Sequence, residues 1–275
     1  MLSSYINYNG KIFNAEEAVI TADNRSFRYG DGLFETMRLE DGQVSLHKYH
    51  FDRLFKGLSI LKFQLPSSFT PQFLYDACLS LCTKNKHANA RIRLMVFRGE
   101  GAVFEPVNHH PNFIIQTWEL PAGKPSLNEN GLDIGFYYDA IKSIDILSNL
   151  KNNNYLPYLM AALHAKENKW NDCIVLNSEG RICDASIANI FMLKDGEVNT
   201  PALSEGCVAG VMRRFLLEKL PAMGFKVNEK KIEINELLNA EEIWLTNAVS
   251  KLKWVKSLNE KKFVNKLALN IFPEL

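Results

Sequence analysis

The chain has no uninterrupted apolar run approaching the roughly 18 residues that cross a bilayer, and its opening Met-Leu-Ser-Ser-Tyr-Ile-Asn-Tyr lacks the basic patch and apolar core of a secretion leader. The expectation is a soluble, cytoplasmic protein with no membrane partner. An excess of charge is also missing. Lysine plus arginine number 32 against 31 aspartates and glutamates, so no strong field gathers nucleic acid. A small molecule is the expected partner. The five cysteines, at 78, 82, 173, 183 and 207, form no CxxC pair, and their odd count suits reduced thiols. Cys78 and Cys82 stand at i, i+4 but have no third or fourth ligand, so they read as small core residues and no metal site is expected. There is no internal repeat and no low-complexity tract.

What is present is bulk: 275 residues, 47% of them hydrophobic, enough for a large core in two domains that share an interface. Tyr5–Tyr8 and Lys11–Phe13 flank Asn9-Gly10, and Leu33–Leu39 and Val44–Leu46 flank Asp41-Gly42; both dipeptides are hairpin signals. From His47 the period lengthens. Phe51, Leu54, Phe55, Leu58 and Leu61 mark a helix, a second runs from Pro71 to Cys82, and 91–97 and 113–118 return to strand. Pro121-Ala-Gly-Lys-Pro125 reads as a linker. The assignment is therefore a small N-terminal α+β domain over 1–120, a linker over 121–125 and a larger domain over 126–275. The larger domain alternates strand 132–138, helix 155–168 with Leu156, Leu159, Met160 and Leu163 on one face, strand 173–177 and a single strand 181–193. A helix from Val211 follows, with strands near 241–246 and 252–255.

Several residues could carry chemistry. Lys151, at the head of a helix and followed by three asparagines and Tyr155, suits an amine that forms a Schiff base, although a Lys-Asn-Asn-Asn run also describes a solvated loop. Asp184, on a later strand, could hold a protonated heteroaromatic nitrogen. Between Cys207 and Gly210 no Ser, Thr, Asn or Asp offers to cap the following helix, so its first amides are satisfied either by an anion or by water. Arg53, one residue from the apolar stripe of its helix, suits a phosphate or else a neighbouring acid. Gly30-Asp31-Gly32 is a tight turn. Arg91 and Arg93 project to one face of a strand, as a carboxylate grip or a solvated pair.

Taken together, the runs Arg28-Tyr-Gly-Asp-Gly-Leu-Phe-Glu-Thr36, His50-x-x-Arg53-Leu54, Lys151-x-x-Asn154-Tyr155, Asp184-x-Ser186-x-x-Asn189-Ile-Phe191, Gly210-Val-Met-Arg213 and Thr246-Asn-Ala248 resemble, in order and spacing, the class IV (fold type IV) aminotransferase family. That family includes branched-chain aminotransferases, D-amino acid aminotransferases and aminodeoxychorismate lyases. The resemblance implies a two-domain enzyme with a mixed sheet or barrel in its larger domain, pyridoxal 5'-phosphate as cofactor, an amino acid substrate and a homodimer. It makes Lys151 the Schiff-base lysine and proton shuttle, in preference to Lys142. Arg53, Gly210, Val211, Met212, Asn247 and Ala248 match the phosphate cup, where Met212 and Ala248 stand in place of hydroxyls common in the transaminases and so offer only main-chain donors. Tyr155 resembles the tyrosine on the cofactor's phenolic oxygen, Asn189 a residue that orders its loop, and Tyr29, Phe34 and Arg93 substrate-pocket residues.

Asp184 departs from the family, which places glutamate there; the acid keeps its charge but is one methylene shorter. The runs 208–213 and 246–248 resemble lyase-type members, so the expected reaction releases 4-aminobenzoate and pyruvate from aminodeoxychorismate. The alternative is a branched-chain or D-amino acid aminotransferase, and a further one, suggested by Asp184, is a cofactor-free binding protein of the same fold.

Overall fold

The structure, a computed structural model, describes residues 4–104 and 108–275; Met1–Ser3, part of the opening segment read above, lie outside it. The chain divides into a first unit, 1–124 together with 151–154, and a second unit, 125–150 together with 155–275. The sequence groups 151–154 with the larger domain. Here they join the smaller unit, because the amide of Phe34 donates to the Lys151 carbonyl (2.9 Å) and the amide of Asn153 to that of Gly32 (3.1 Å).

The first unit is built on an antiparallel sheet of β1 (Tyr5–Tyr8), β2 (Lys11–Asn14), β3 (Gly32–Glu40), β4 (Gln43–Val44), β5 (Ala90–Phe97) and β6 (Asn112–Glu119), in the order β2-β1-β6-β5-β3-β4. Asn9 and Gly10 both take positive φ (51° and 85°), which turns β1 back onto β2 in the sense of the strand twist. A short α1 (Arg25–Tyr29) is capped by the Asn24 side chain; α2 (His47–Ile60) buries Phe51, Leu54 and Leu58 of its expected stripe, and α3 (Pro71–Lys84) buries Leu74, Cys78 and Leu81. Strand alternation sends Leu33, Glu35, Met37 and Leu39 toward one face of β3, and α2 packs against that strand. Phe34, Thr36 and Arg38 point to the other face, with Arg91, Arg93 and Met95 as their cross-strand partners on β5.

The second unit holds β7 (Leu132–Lys142), α4 (Leu156–Glu167), β8 (Asp172–Asn177), β9 (Ile182–Ala185), β10 (Asn189–Lys194), β11 (Glu197–Pro201), α5 (Val211–Ala222), β12 (Val227–Lys230), α6 (Ile234–Leu238), β13 (Glu242–Asn247), β14 (Lys251–Leu258), β15 (Lys261–Lys262) and α7 (Lys266–Ile271). Its sheet runs β12-β11-β10-β13-β14-β7-β8-β9, with β15 beside β14; the β11–β12, β14–β7 and β7–β8 pairs are parallel. The sheet cannot be flat. Ala185 and Asn189 are at most about 14 Å apart along the chain, yet β9 and β10 stand five strand spacings apart in the hydrogen-bonded order, about 24 Å if laid flat. The sheet therefore curls until its β9 edge returns to β10. Ile134, Phe136, Ile174, Leu176, Ile190, Met192, Ile243, Leu245, Val255 and Leu258 pack together in one buried cluster.

Two expectations are corrected. The strand expected over 181–193 is two strands, broken at 186–188, because β9 pairs with β8 and β10 pairs with β13. Helix α4 buries Tyr158, Ala161 and Ala165, together with Tyr137, Cys173 and Val175, while Leu156, Leu159, Met160 and Leu163 face outward, 41–65% exposed. Small alanines let the helix lie close to β7 and β8, so the large residues are the ones displaced from the core. Replacing the fully buried Ile174 with alanine should cost about 2–5 kcal/mol in chemical denaturation. A loss near zero would contradict its place in the core.

Candidate functional site

In the first unit the asparagine run is not a solvated loop. Asn152 bridges to Leu33, Asn153 Nδ2 donates to Ser26 Oγ (2.7 Å), and the Asn154 amide carbonyl occupies the space a Cβ on Gly30 would need, 2.2 Å away. This places the Lys151 backbone alongside the start of β3, with Lys151 Nζ 4.6 Å from the centroid of the buried Phe34 ring. The Arg93 guanidinium lies 4.0 Å from the same ring. Of the two strand arginines only Arg93 joins this cluster by ring contact; Arg91 stacks on Trp118 at 4.4 Å.

Arg53 has an acidic partner, but it is buried and comes from a strand rather than its own helix. Its Nε donates to Glu35 Oε1 (2.8 Å) and its Nη2 to Oε2, while His50 Nδ1 lies 2.6 Å from Oε2. Glu35 is 1% exposed. Burial alone would raise its pKa, but the adjacent Arg53 charge and His50 outweigh burial and bring it down to about 2. Burial holds the His50 pKa below its ordinary value, with Glu35 opposing and Arg53 and Lys151 adding to the shift. A neutral His50 donates from Nδ1 to the carboxylate and leaves Nε2 as a buried acceptor without a hydrogen-bond partner. Tyr29 is 36% exposed at the end of α1, with the Arg25 and Arg28 guanidiniums 5.6 and 5.0 Å from its ring centroid. Asp31 in the Gly-Asp-Gly turn accepts from Arg25 Nε (2.8 Å) and Arg98 Nη1 (2.6 Å), an ion-paired turn.

In the second unit Asp184 is 2% exposed. Its Oδ1 accepts from Asn189 Nδ2 (2.8 Å), and its Oδ2 accepts from the Val208 amide (2.9 Å) and the Tyr158 hydroxyl (2.7 Å). Lys142 Nζ stands 3.8 Å from Oδ2. Burial raises the acid's pKa, and Lys142, the Val208 amide, Tyr158 and Asn189 pull against that shift. Asn189 also donates to the Val208 carbonyl (2.8 Å), and its Oδ1 fills the position of a Cβ on Gly210. One amide thus ties the acid to the segment that starts α5, as expected for a residue that orders its loop.

Gly210 caps α5 with no side-chain hydrogen bond, so the amides of Val211 and Met212 begin the helix uncapped. Asn247 Oδ1 accepts from the amides of Val249 (3.0 Å) and Ser250 (2.8 Å), which folds 247–250 into a turn with Ala248 in its middle. Thr246 Oγ1, next to it on β13, is buried with no hydrogen-bond partner. The Tyr155 hydroxyl donates to the Ser186 carbonyl (2.7 Å).

Sequence reasoning gave no role to Glu35, His50 or Tyr158, and weighed Lys142 only as the rival to Lys151. A charged residue at an inward position of an apolar strand was the available signal for Glu35, and His50 stands one helical turn before Arg53. The meeting of Lys142 with Tyr158 had no sequence signal, since it depends on strand register. Among the described residues no group of histidine, cysteine, aspartate and glutamate could hold a metal ion, and no helix is long and apolar enough to cross a membrane.

The amino-transferase class IV family model matches residues 32–258. The chain is 30% identical over 227 residues to the aminodeoxychorismate lyase of Vibrio harveyi, covering 82% of each. It is 25% identical over 267 residues to the branched-chain-amino-acid aminotransferase of Escherichia coli K12, covering 94% of this chain and 85% of that one. In three dimensions it superimposes on the crystal structure of the Escherichia coli branched-chain amino acid aminotransferase with a TM-score of 0.87 at 24% identity, covering 99% and 94%.

Because the Glu35 pKa falls from an ordinary 4.5 to about 2, its ionised form stabilises the folded chain fully above pH 4.5 and loses that effect as pH drops toward 2. The stability advantage of the wild type over Glu35→Gln should shrink across that window in denaturant titrations. A constant difference would show that the carboxylate is not held by charge.

Proposed function

The chain belongs to the class IV aminotransferase family, whose enzymes depend on pyridoxal 5'-phosphate and act on small amino acid substrates, and on that premise we propose that it is an aminodeoxychorismate lyase releasing 4-aminobenzoate and pyruvate. The observation that carries this reading is the 30% identity to the Vibrio harveyi lyase over 82% of the chain. Met212 and Ala248, standing where many transaminases carry hydroxyls, agree with it. A branched-chain aminotransferase is the second reading, favoured by relatives of that name over 94% of the chain. The cofactor-free binding protein gives way to membership of an enzyme family.

The residues fit the cofactor on two observations. The start of α5 offers uncapped amides and the positive end of a helix to a phosphate, and the buried Thr246 hydroxyl beside the 247–250 turn lacks a partner. Asp184 is a buried acid of the kind a ring nitrogen requires. Bound there, pyridoxal phosphate supplies an aldehyde for amines and a ring that accepts electron density from a substrate's Cα.

The protein's own groups do the rest. The amides of Val211 and Met212 and the Asn247–Ala248 turn would hold the phosphate, and Arg53, its fork fixed by Glu35, would be a guanidinium available to it. Asp184 would present negative charge to the ring nitrogen. Lys151 would supply the amine that holds the cofactor's aldehyde and the base that moves a proton at the substrate's Cα. Phe34 and Arg93 offer an apolar ring beside a cation, suited to an amino acid's side chain and carboxylate, with Tyr29 as a further substrate contact. Tyr155 would be the hydroxyl that faces the cofactor's phenolic oxygen.

A homodimer is part of the same reading. Leu156, Leu159, Met160 and Leu163 form one uncharged helix face left open to solvent, and a second copy would cover it. Leu159→Glu should reduce the mass by light scattering from dimer to monomer; an unchanged dimer, or a monomeric wild type, would remove that face from the reading.

The reaction is decided by assaying the purified protein with aminodeoxychorismate and, separately, with L-branched-chain and D-amino acids plus 2-oxoglutarate. Release of 4-aminobenzoate is expected, and amine transfer without it would reverse the order of the two readings. Lys151→Ala should retain its far-ultraviolet dichroism but lose both activity and the visible absorbance of the cofactor.

A further inference from the structure

Lys142 has no role in the reading above, yet it is the cation nearest the acid of the second unit. It ends β7, two strands from β9 in the order β7-β8-β9, and its side chain is 12% exposed. Its ammonium donates to the Ser148 carbonyl (2.9 Å) and to the Tyr158 hydroxyl. Tyr158 in turn donates its own proton to Asp184 Oδ2 (2.7 Å). The hydroxyl is thus a relay with a fixed direction: it accepts from the lysine and gives to the aspartate. A carboxylate this deeply buried retains charge only with donors and a cation near it. At 3.8 Å the ammonium is too far for a direct hydrogen bond to Asp184 but close enough to act as its counter-ion.

We propose that Lys142 is a positioning residue that, through Tyr158, holds Asp184 ionised and oriented before any cofactor binds, so that the acid shares its charge between an internal cation and the ring nitrogen. The part concerning the ring nitrogen rests on the cofactor reading; the part concerning the empty protein does not. The shorter acid then has a counterpart in the chain. Its carboxylate is drawn toward the α4 side by the lysine–tyrosine pair, and an internal cation beside it lowers the proton affinity of a ring nitrogen placed against the same oxygens. The other titratable groups around Asp184 are Tyr158 on α4, Cys183 on its own strand and Cys207 before α5. Burial pushes the tyrosine and both thiols up, so they stay neutral and Lys142 is the charge that matters.

The test is a carboxyl-carbon NMR titration of aspartate-labelled, cofactor-free protein, with the Asp184 signal assigned by its loss in Asp184→Asn. Lys142→Met should move the Asp184 midpoint up by about 1–3 pH units, and Lys142→Arg should return it most of the way. Tyr158→Phe, which keeps the charge and removes the relay, should shift it in the same direction and serves if the methionine variant does not fold. In cofactor-loaded protein, the pH at which the visible band changes should rise in Lys142→Met and be restored by arginine. An Asp184 midpoint unmoved by both Lys142→Met and Tyr158→Phe would overturn the proposal. A wild type that takes up no cofactor would defeat the cofactor reading alone, and the empty-protein titration would still decide the role of Lys142.

Discussion

A carboxylate taken out of water keeps its charge only where cations and hydrogen-bond donors replace the hydration it has lost, and Asp184 and Glu35 are two places where this chain meets that demand. Around Asp184 the demand recruits groups from four segments: the end of β7, helix α4, the Asn189 side chain at the head of β10 and the Val208 amide. Around Glu35 it recruits two residues one turn apart on α2. In each case the acid fixes neighbours that could not hold their positions alone. Arg53 is a long, flexible side chain whose fork has one orientation because Glu35 takes two of its nitrogens.

The segment before α5 follows from the same logic. Asn189 donates to the acid and to the Val208 carbonyl while its own carbonyl presses on Gly210. The start of the helix is therefore located by a contact to Asp184 rather than by a cap of its own. Its first amides stay available because the sequence supplies no side chain to take them, and Gly210 is small because Asn189 needs the room.

Much of this was legible in the sequence where the signal is local. The Asn9-Gly10 and Asp41-Gly42 hairpins, the α2 stripe and the missing cap at 207–210 each depend on residues a few positions apart. The ordered motifs named Lys151, Asp184, Arg53 and the 210–212 turn as candidates for the same reason. Signals that arise only after strands are laid side by side were not legible. The approach of Lys142 to Asp184 needs β7, β8 and β9 in register, and the break at 186–188 needs β9 and β10 to choose different partners. Helix α4 misled because apolar spacing reports a face without saying which way it turns; Ala161 and Ala165 decide that by their size. The short β11, β12, α6 and α7 carry too few residues for any period to show.

The parallel pairing of β7 with β14 has a consequence for biosynthesis. Leu132 lies opposite Val255, so the strand that opens the second unit finds one of its neighbours only after most of the chain has been made. Until then β7 offers an unpaired edge, and the curl that brings β9 back to β10 has a gap in the middle of its strand order. Closing such distant pairs is slow and leaves apolar strands open to association in the meantime. On the ribosome, the smaller unit's six-stranded sheet, complete by residue 119, can form first, while the larger sheet must wait for its last hundred residues.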